Sequence, residues 1–540
     1  MKKFISISIS VMLFLVGCGN TGQQATSNSQ KIESTENLES NNEVRNGDSV
    51  DLSVMIYDRA NAPDGVGSAS NNRWTEHVAR KMKENYNVTL SYMSVPRSEE
   101  GTKVPVMIAS QTAADVMITY DRNMVMDFYE DGGIHDLSSS IEDYGQDLVE
   151  YLTQDCLNEG KNENGDQVLV NARRTTTTVS NYLVRQDWLD KLGLEVPKTP
   201  MDLYNVLKEF KEKDPSGVGS ENIVPAFFAD DGERNISRAF YNNMQDEKIR
   251  FITDNNKLMW RSLVDPEGAL EFFKYYNKLY NEGLIDKEYF VDAGGASREE
   301  EWFVTNKLGF LEANVNFNVD PPRGVPLMTL KEIEPTAEFI AIPPLKNIHD
   351  NEAYNAAYPI TGLGIFSPKT NKNPDAAIQY LNLLAGNTGF EIYNGFEGEH
   401  YEFDEDNVAV PIDPQFNAKD KDWIRFDLFI LGSPGYFKTE DEYVIATSKE
   451  DPLTEKYVID NYAYASEGIR QGDFNYSSPT QRERGVDVSN IFNAYKVDIS
   501  TTTPDNVENL FNEMIIKLEA SPAPMVIKER EEYYDTYIGE

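Results

Sequence analysis

The stretch "KVPVMIASQTAADVMITYD", residues 103–121, decides the fold, because a helix-like run ends at Ala114-Asp115 and passes without a spacer into a short apolar strand, Val116 to Thr119. A helix feeding directly into a buried strand is half of a β-α-β unit. The segments before it supply the other half. "DLSVMIY" (51–57) reads as a first strand, "NNRWTEHVARKMKENY" (71–86) as an amphipathic helix and "NVTLSYMSV" (87–95) as a second strand. Strands alternating with helices predict a parallel, doubly wound sheet, in which ligands gather beyond the strands' carboxyl ends. Those ends are Tyr57-Asp58-Arg59 and Tyr120-Asp121-Arg122.

The pattern continues downstream. "VSNYLVRQDWLDKLGLEVPKTPMDLYNVLKEFKEKDP" gives a strand, a short helix, and, after the start signal Thr199-Pro200, an amphipathic helix from about Met201 to Lys213. "DPEGALEFFKYYNKLYNEGLID" is a helix with Pro266 in its first turn and Gly283 past its end. "KLGFLEANVN" and "AYPITGLGIFSPKT" read as strands, and "NPDAAIQYLNLLAGN" as a helix. No repeat of fixed period is present.

At the start, "MKKFISISISVMLFLVG" places Lys2 and Lys3 before an apolar run shorter than the roughly 20 residues a bilayer span needs, the pattern of a secretory signal. Leu15-Val16-Gly17-Cys18 then resembles the lipobox of bacterial lipoproteins, which implies cleavage before Cys18 and acyl chains (diacylglycerol, palmitate) on it. Two or three chains at about 0.8 kcal/mol per buried methylene give durable anchoring. Residues 20 to about 48 hold few large apolar side chains and are expected to act as a flexible tether on the outer face of the cell membrane.

The roughly 490 residues that follow exceed one core, so two or more lobes are expected. Cys156, the only other cysteine, lacks a disulfide partner and is expected to be a buried free thiol. A net charge of −40 argues against nucleic acid and anionic headgroups as partners.

Five segments, in order, resemble the extracellular solute-binding lipoproteins of ABC importers, in particular their larger carbohydrate-binding members from Gram-positive bacteria. They are "MIASQTAADVMITYD", "LVRQDWLDKLGLEVPKT", "EWFVTNKLGFLEANVNFNVDPPRGVPL", "GLGIFSPKTNKNPDAAIQYLNLL" and "GFEGEHYEF". The resemblance implies a periplasmic-binding-protein-like fold: two α/β lobes joined by a hinge, with a ligand cleft between them. It places a signal peptide at 1–17, lipidated cysteine and tether at 18–48, lobe 1 at 49–175 plus 352–425, and lobe 2 at 176–351 plus 426–540. It also implies a monomer that captures an oligosaccharide and delivers it to the transmembrane subunits of an ABC permease, without catalysis. Family members often carry a calcium loop resembling Asp-Pro-Asp-Gly-Asn-Gly; here "DPSGVGSENIVP" keeps Asp214 but puts Ser216 and Val218 at two donor positions, so the loop is expected to be metal-free or weakly binding, and no metal and no cofactor are assigned.

Sugars are held by rings stacked on pyranose faces and by planar polar groups taking hydroxyls. Trp74 is either such a ring or a staple packing a helix start. Tyr120 and Asp121 follow from strand-end placement. Arg185 and Trp188 follow the "NYLV" strand in the other lobe, where Arg185 either meets a sugar acid or pairs with Asp187. Asn314 and Asn316, two apart, are expected on one strand face, with loop capping as the other reading. Glu397, His400 and Tyr401 in "GFEGEHY" either bind ligand or tie a turn internally. An exported polysaccharide-degrading enzyme, glycosidase or lyase, is the alternative, as is a binder of peptides or another polar solute. Ninety acidic residues make carboxylate pairs uninformative, and neither Gly-x-Ser-x-Gly at a strand–helix turn nor His-Glu-x-x-His occurs. Four scattered histidines, at 77, 135, 349 and 400, make a zinc site improbable. An adhesin would show stalk repeats or all-β modules, and neither is present.

Overall fold

A computed structural model describes residues 49–162, 164–289, 298–319, 325–432, 437, 439–472, 474 and 476–539. The signal, Cys18 and the tether lie outside the described residues. The chain forms strands β1 (Val50–Asp58), β2 (Val88–Pro96), β3 (Met117–Thr119), β4 (Val170–Arg173), β5 (Ser180–Arg185), β6 (Val224–Phe227), β7 (Leu308–Asn314), β8 (Phe339–Ile342), β9 (Tyr354–Ala357), β10 (Thr361–Phe366), β11 (Tyr401–Phe403), β12 (Ala409–Pro411) and β13 (Ile469–Gly472). Helices fill most of the connections.

β1 and β2 pair in parallel from Val50↔Val88 to Asp58↔Pro96. Parallel neighbours need a crossover, and the helix Arg73–Tyr86 supplies it. Asn72 opens that helix with a capping box, accepting from the backbone N–H groups of Trp74 and Thr75 while Thr75 reciprocates. Asn87 closes it in the left-handed conformation, φ 55°. Val54 then bridges Val116 in parallel, which attaches the stretch ahead of β3 to β1.

Beyond that point the sheet is mixed, which corrects the expectation of a wholly parallel one. β10 lies between β3 and β4 and is antiparallel to both. The second sheet, in the order β6-β7-β5-β8, pairs β6 with β7 in parallel and sets β5 antiparallel to β7 and β8. The cause is the chain path: after β4 the chain leaves to build the second sheet, and β10 joins the first sheet on the way back.

Each sheet has its own core. In the first, Val54, Ile56, Trp74, Ile118, Leu169 and Ile365 pack together. In the second, Tyr182, Val184, Trp188, Phe210, Phe272 and Phe310 form one face, while Leu183, Leu311, Phe303 and Phe339 fill the other. Both faces of β5 are covered, and its residues from Ser180 to Arg185 are all buried. Cys156 is a buried free thiol in the first core. Leu428, Phe429, Ile430 and Leu431 pack in the first core and Gly432 bridges Arg173. Tyr354 packs in the second core, and β9 pairs with β13. Among the described residues no helix is long and apolar enough to cross a membrane.

Gly309 in β7 lies against rings: a Cβ there would stand 2.5 Å from Phe210 Cδ2 and 2.9 Å from Trp188 Cζ3. Gly309→Ala is therefore expected to cost about 1–3 kcal/mol through overpacking, read as a lower urea midpoint. Three residues on, the Glu312 carboxyl is fully buried and pushed up to about 8, burial outweighing the charge of Arg234. The native state thus holds a proton that the unfolded chain, with an ordinary value of 4.5, has released, so this group's contribution to stability falls as pH rises from 4.5 towards 8. Glu312→Gln is expected to flatten that decline in denaturation midpoints measured across pH 5–8; equal slopes for variant and parent would contradict it.

Candidate functional site

The carboxyl ends of β1 and β3 come together as strand-end placement predicts. Glu100, buried in the first turn of the helix Glu100–Ala109, accepts from Thr119 Oγ1 and from Tyr120 N, both at 2.7 Å, and pairs with Arg97. The Arg97 guanidinium in turn lies over the Tyr57 ring (4.6 Å) and the Tyr120 ring (4.7 Å). Tyr120 is therefore braced on one face by a cation while the ring stays 52% exposed. Asp121 is exposed and caps the helix Arg122–Glu130, accepting from Met124 N at 3.0 Å. Arg59, just past β1, holds Asp427 through two nitrogens at 2.7–3.0 Å. The Asp427 carboxyl is nonetheless raised, because burial outweighs the arginine.

On the second core, the loop after β6 carries Asp230 and Asp231 with φ of 50° and 55°. Arg234 donates to Asp230 at 2.9 Å, and Lys496, from the helix Pro479–Thr501, reaches Asp231 (2.9 Å) and Glu233 (2.8 Å). These side chains, with Val179, Ala356 and Tyr358, line a cavity of about 570 Å³ where the chain crosses between the cores. The Arg174 guanidinium lies over the Tyr358 ring at 3.9 Å. Sequence reasoning missed this wall. Its signal was the dense acidic and basic run "ADDGERN" directly after a strand, indistinguishable there from a solvated loop.

Other predicted residues are placed inside the packing. Arg185 is 1% exposed; it donates to both Asp187 oxygens at 2.8 and 2.7 Å and to Asn306 Oδ1 at 2.6 Å, and its guanidinium covers Trp188 at 4.4 Å. Trp188 is equally enclosed, edge-on to Phe210 at 5.2 Å. Neither leaves a face for a ligand, because both complete the second core's wall. Asn314 ends β7, and Asn316 lies beyond it with its N–H donating to Asn314 Oδ1 at 3.1 Å. The Asn314 side chain thus caps a turn through the Asn316 backbone, and the two residues do not share a strand face because β7 ends at Asn314.

The turn at 395–403 gathers Trp74, Glu397, His400 and Tyr401. Gly395 is in the left-handed region (φ 86°), and a Cβ there would stand 2.3 Å from His400 Cγ, so the turn requires glycine. Phe396 N donates to His400 Nδ1 (3.1 Å), which leaves the proton on Nε2 facing Asp420 Oδ2 at 3.0 Å. Asp420 also accepts from Trp74 Nε1, at its carbonyl (3.0 Å) and its carboxylate (3.2 Å). Burial, which would raise the Asp420 carboxyl, is outweighed by the His400 hydrogen bond and the Arg73 charge, so it stays below the usual carboxylate range. Trp74 stacks on Phe396 at 5.1 Å and is 1% exposed, while His400 is wholly buried. Neither lines a cleft, since the indole's faces and N–H are engaged by the turn. Glu397 is exposed and Tyr401 is buried, and the two are linked by a backbone bridge. Tyr401 lines a further cavity, of about 740 Å³.

A calcium ion does not fit the Asp214 loop. The Asp214 carboxylate already accepts from Gly217 N (2.9 Å), Gly219 N (2.8 Å) and Ser216 Oγ (3.2 Å), and Val218 offers no side-chain oxygen. Among the described residues no group of three or more histidine, cysteine, aspartate or glutamate side chains could hold a metal.

Residues 67–389 match the family described as bacterial extracellular solute-binding protein. The chain is 29% identical to the lipoprotein LipO of Bacillus subtilis (strain 168) over 209 residues, 36% of this chain and 39% of LipO. It is 22% identical to the polygalacturonan/rhamnogalacturonan-binding protein YtcQ of the same organism over 482 residues, 85% and 88% of the two chains. The fructooligosaccharide ABC transporter substrate-binding protein FusA of Streptococcus pneumoniae serotype 4 (strain ATCC BAA-334 / TIGR4) is 30% identical over 147 residues, 26% of this chain and 27% of FusA. The matches to LipO and FusA thus span well under half of those relatives. The structure of FusA in complex with kestose superposes with a TM-score of 0.64 at 17% identity, covering 91% of this chain and 99% of that one, which shows a shared periplasmic-binding-protein-like fold. With more than half of its length matched and the fold shared, this chain belongs to the bacterial extracellular solute-binding protein family, whose members are non-catalytic.

Proposed function

We propose that this protein captures an oligosaccharide outside the cell and hands it to the transmembrane subunits of an ABC permease. The reading rests above all on one observation: two separately packed cores, joined by chain crossings, present rings and hydrogen-bonding groups where the strands end. The exposed Tyr120 ring, backed by Arg97, supplies a stacking platform on the first core, and the 230–238 loop with Tyr358 supplies polar groups on the second. What YtcQ and FusA are named for binding, polygalacturonan/rhamnogalacturonan and fructooligosaccharides, supports a saccharide over a peptide.

Mechanistically, a sugar that touches both bodies has higher affinity for the closed arrangement than for the open one. It shifts the hinge equilibrium by that difference, and the permease reads the closed form. The lobes are proposed as about 49–175 plus the returning segment from about 358 to 432, and the remainder of the body. Acylated Cys18 and the tether keep a monomeric receptor at the outer face of the membrane, near its transporter.

The full-length chain in detergent, heated with defined oligosaccharides, is expected to gain about 2.7 kcal/mol of stability at a hundredfold excess over Kd. A flat response to every glycan with a rise from peptides would reverse the assignment. Tyr120→Ala is expected to weaken the responding glycan about tenfold, by calorimetry, with little change in unfolding temperature. Cys18→Ser is expected to move the protein from the membrane fraction to the medium; retention on the membrane would remove the anchor from the scheme.

A further inference from the structure

The cavity of about 740 Å³ has one wall from each body. Its first wall is the segment 387–425, whose Ile392, Trp423 and Ile424 belong to the first core. Facing it is the helix Glu440–Ser448, whose Tyr443 packs with Val315, just past the end of β7 in the second sheet. Ion pairs span the gap at the far end of that helix. Lys449 Nζ reaches Asp404 and, at 3.3 Å, Asp406, both on the turn between β11 and β12. Glu450 meets Arg425 at 3.1 Å.

The near end of the same helix is tied to the chain crossings. Glu440 Oε1 accepts from Thr178 Oγ1 at 2.5 Å and from Thr176 Oγ1, both on the first passage between the cores, and its Oε2 accepts from Arg470 in β13 at 2.7 Å. On the returning passage, Tyr358 N donates to Thr177 O at 2.8 Å. The helix therefore starts where two passages run side by side. Lys449 follows its 9 residues, which at 1.5 Å per residue sets it about 13 Å from Glu440. Rotation about the Glu440 end carries Lys449 and Glu450 away from the first body.

These pairs can part without stranding a charge. Asp404 keeps the backbone N–H groups of Asp406 (3.0 Å) and Val408 (2.9 Å). Arg425, 5% exposed, keeps Asp422 at 3.2 Å. Lys449 and Glu450 are partly exposed already and pass into water. Breaking a buried pair is costly when one charge is left uncompensated; here each partner on the first body keeps another contact, so the pairs form and break at modest cost. They bias the arrangement of the bodies and do not fix it.

From this we infer that the helix Glu440–Ser448 is a strut, with a pivot at Glu440 and an ion-pair latch at Lys449 and Glu450, which biases the two bodies toward closure before ligand arrives and makes closure depend on ionic strength. The inference rests on the two-body clamp proposed above and extends it to how closure is set. Glu405→Cys on the first body and Lys456→Cys on the second, both at exposed positions, are spin-labelled in the full-length chain in detergent. Their separation is measured without sugar by pulsed paramagnetic resonance. At 0.1 M NaCl, where charges are screened over about 10 Å, a short separation is expected to dominate. At 1 M, where screening acts over about 3 Å, a second, longer separation is expected in about half of the molecules, and likewise in Lys449→Met at either salt; Lys449→Arg is expected to restore the short one. Glu440→Ala is expected to broaden the short distribution. Identical distributions for the parent and Lys449→Met at both salts overturn the latch, and an unchanged width in Glu440→Ala overturns the pivot; both results leave the receptor reading standing. Should Glu440→Ala fail to fold, Thr176→Val removes one arm of the same pivot. For a glycan that binds the parent, Lys449→Met is expected to weaken affinity about three- to tenfold at 0.1 M NaCl and to lose most of its salt dependence, because less of the protein is closed beforehand; full affinity in the variant overturns the latch's part in capture. No binding of any saccharide by the parent overturns the receptor reading, and the distances alone then decide the latch.

Discussion

The placement of β10 constrains everything else. That strand lies between β3 and β4, so the first sheet is incomplete until residues 361–366 return from the second body. The excursion from 180 to 357 is therefore pinned at both ends by hydrogen bonds in a sheet it does not belong to. With the passage after Gly432, which bridges Arg173, the chain crosses three times between the two cores, and the clamp proposed above rests on that connectivity. The same topology makes the first core depend on contacts nearly two hundred residues apart (β4 to β10), a high contact order that favours slow folding.

Charge near the strand ends is paired within the protein. At the strand ends each prominent cation is already met: Arg59 by Asp427, Arg97 by Glu100, Arg234 by Asp230, and Lys496 by Asp231 and Glu233. Pairing of this kind fixes side chains in place without leaving an isolated charge in a partly dry crevice. What remains available are rings and hydrogen-bonding edges, the equipment for hydroxyls. The 395–403 turn follows the same logic at greater depth. Asp420 collects Trp74, His400 and Arg73, so a helix start and a distant turn are locked together through one carboxylate.

Several elements were legible because their signals are local. The Thr199-Pro200 start and Pro266 in its helix's first turn depend on neighbours within a few residues, and each appears where the sequence put it, whereas the helix expected to run to 114–115 stops at Ala109, and a connection with Gln111 at φ 58° separates it from β3. Strand direction was not legible, since a strand's pattern of apolar residues is the same whether it runs up or down a sheet. Asn314 and Asn316 misled for a related reason: a spacing of two means one face only while the strand lasts, and β7 ends at the first of them.

By itself, the sequence determined the α/β class, the family resemblance, an exported and anchored start as an expectation, and Tyr120 and Asp121 at a strand's carboxyl end, because periodicity, caps and motif order are written along the chain. Only the tertiary structure decided which rings face outward. Trp74, Trp188 and Arg185 carry chemistry suited to sugars, yet partners hundreds of positions away, or in the opposing layer, consume their surfaces. Whether a side chain binds ligand or completes a core depends on what packs against it, and that is a property of three-dimensional neighbours which no local pattern encodes.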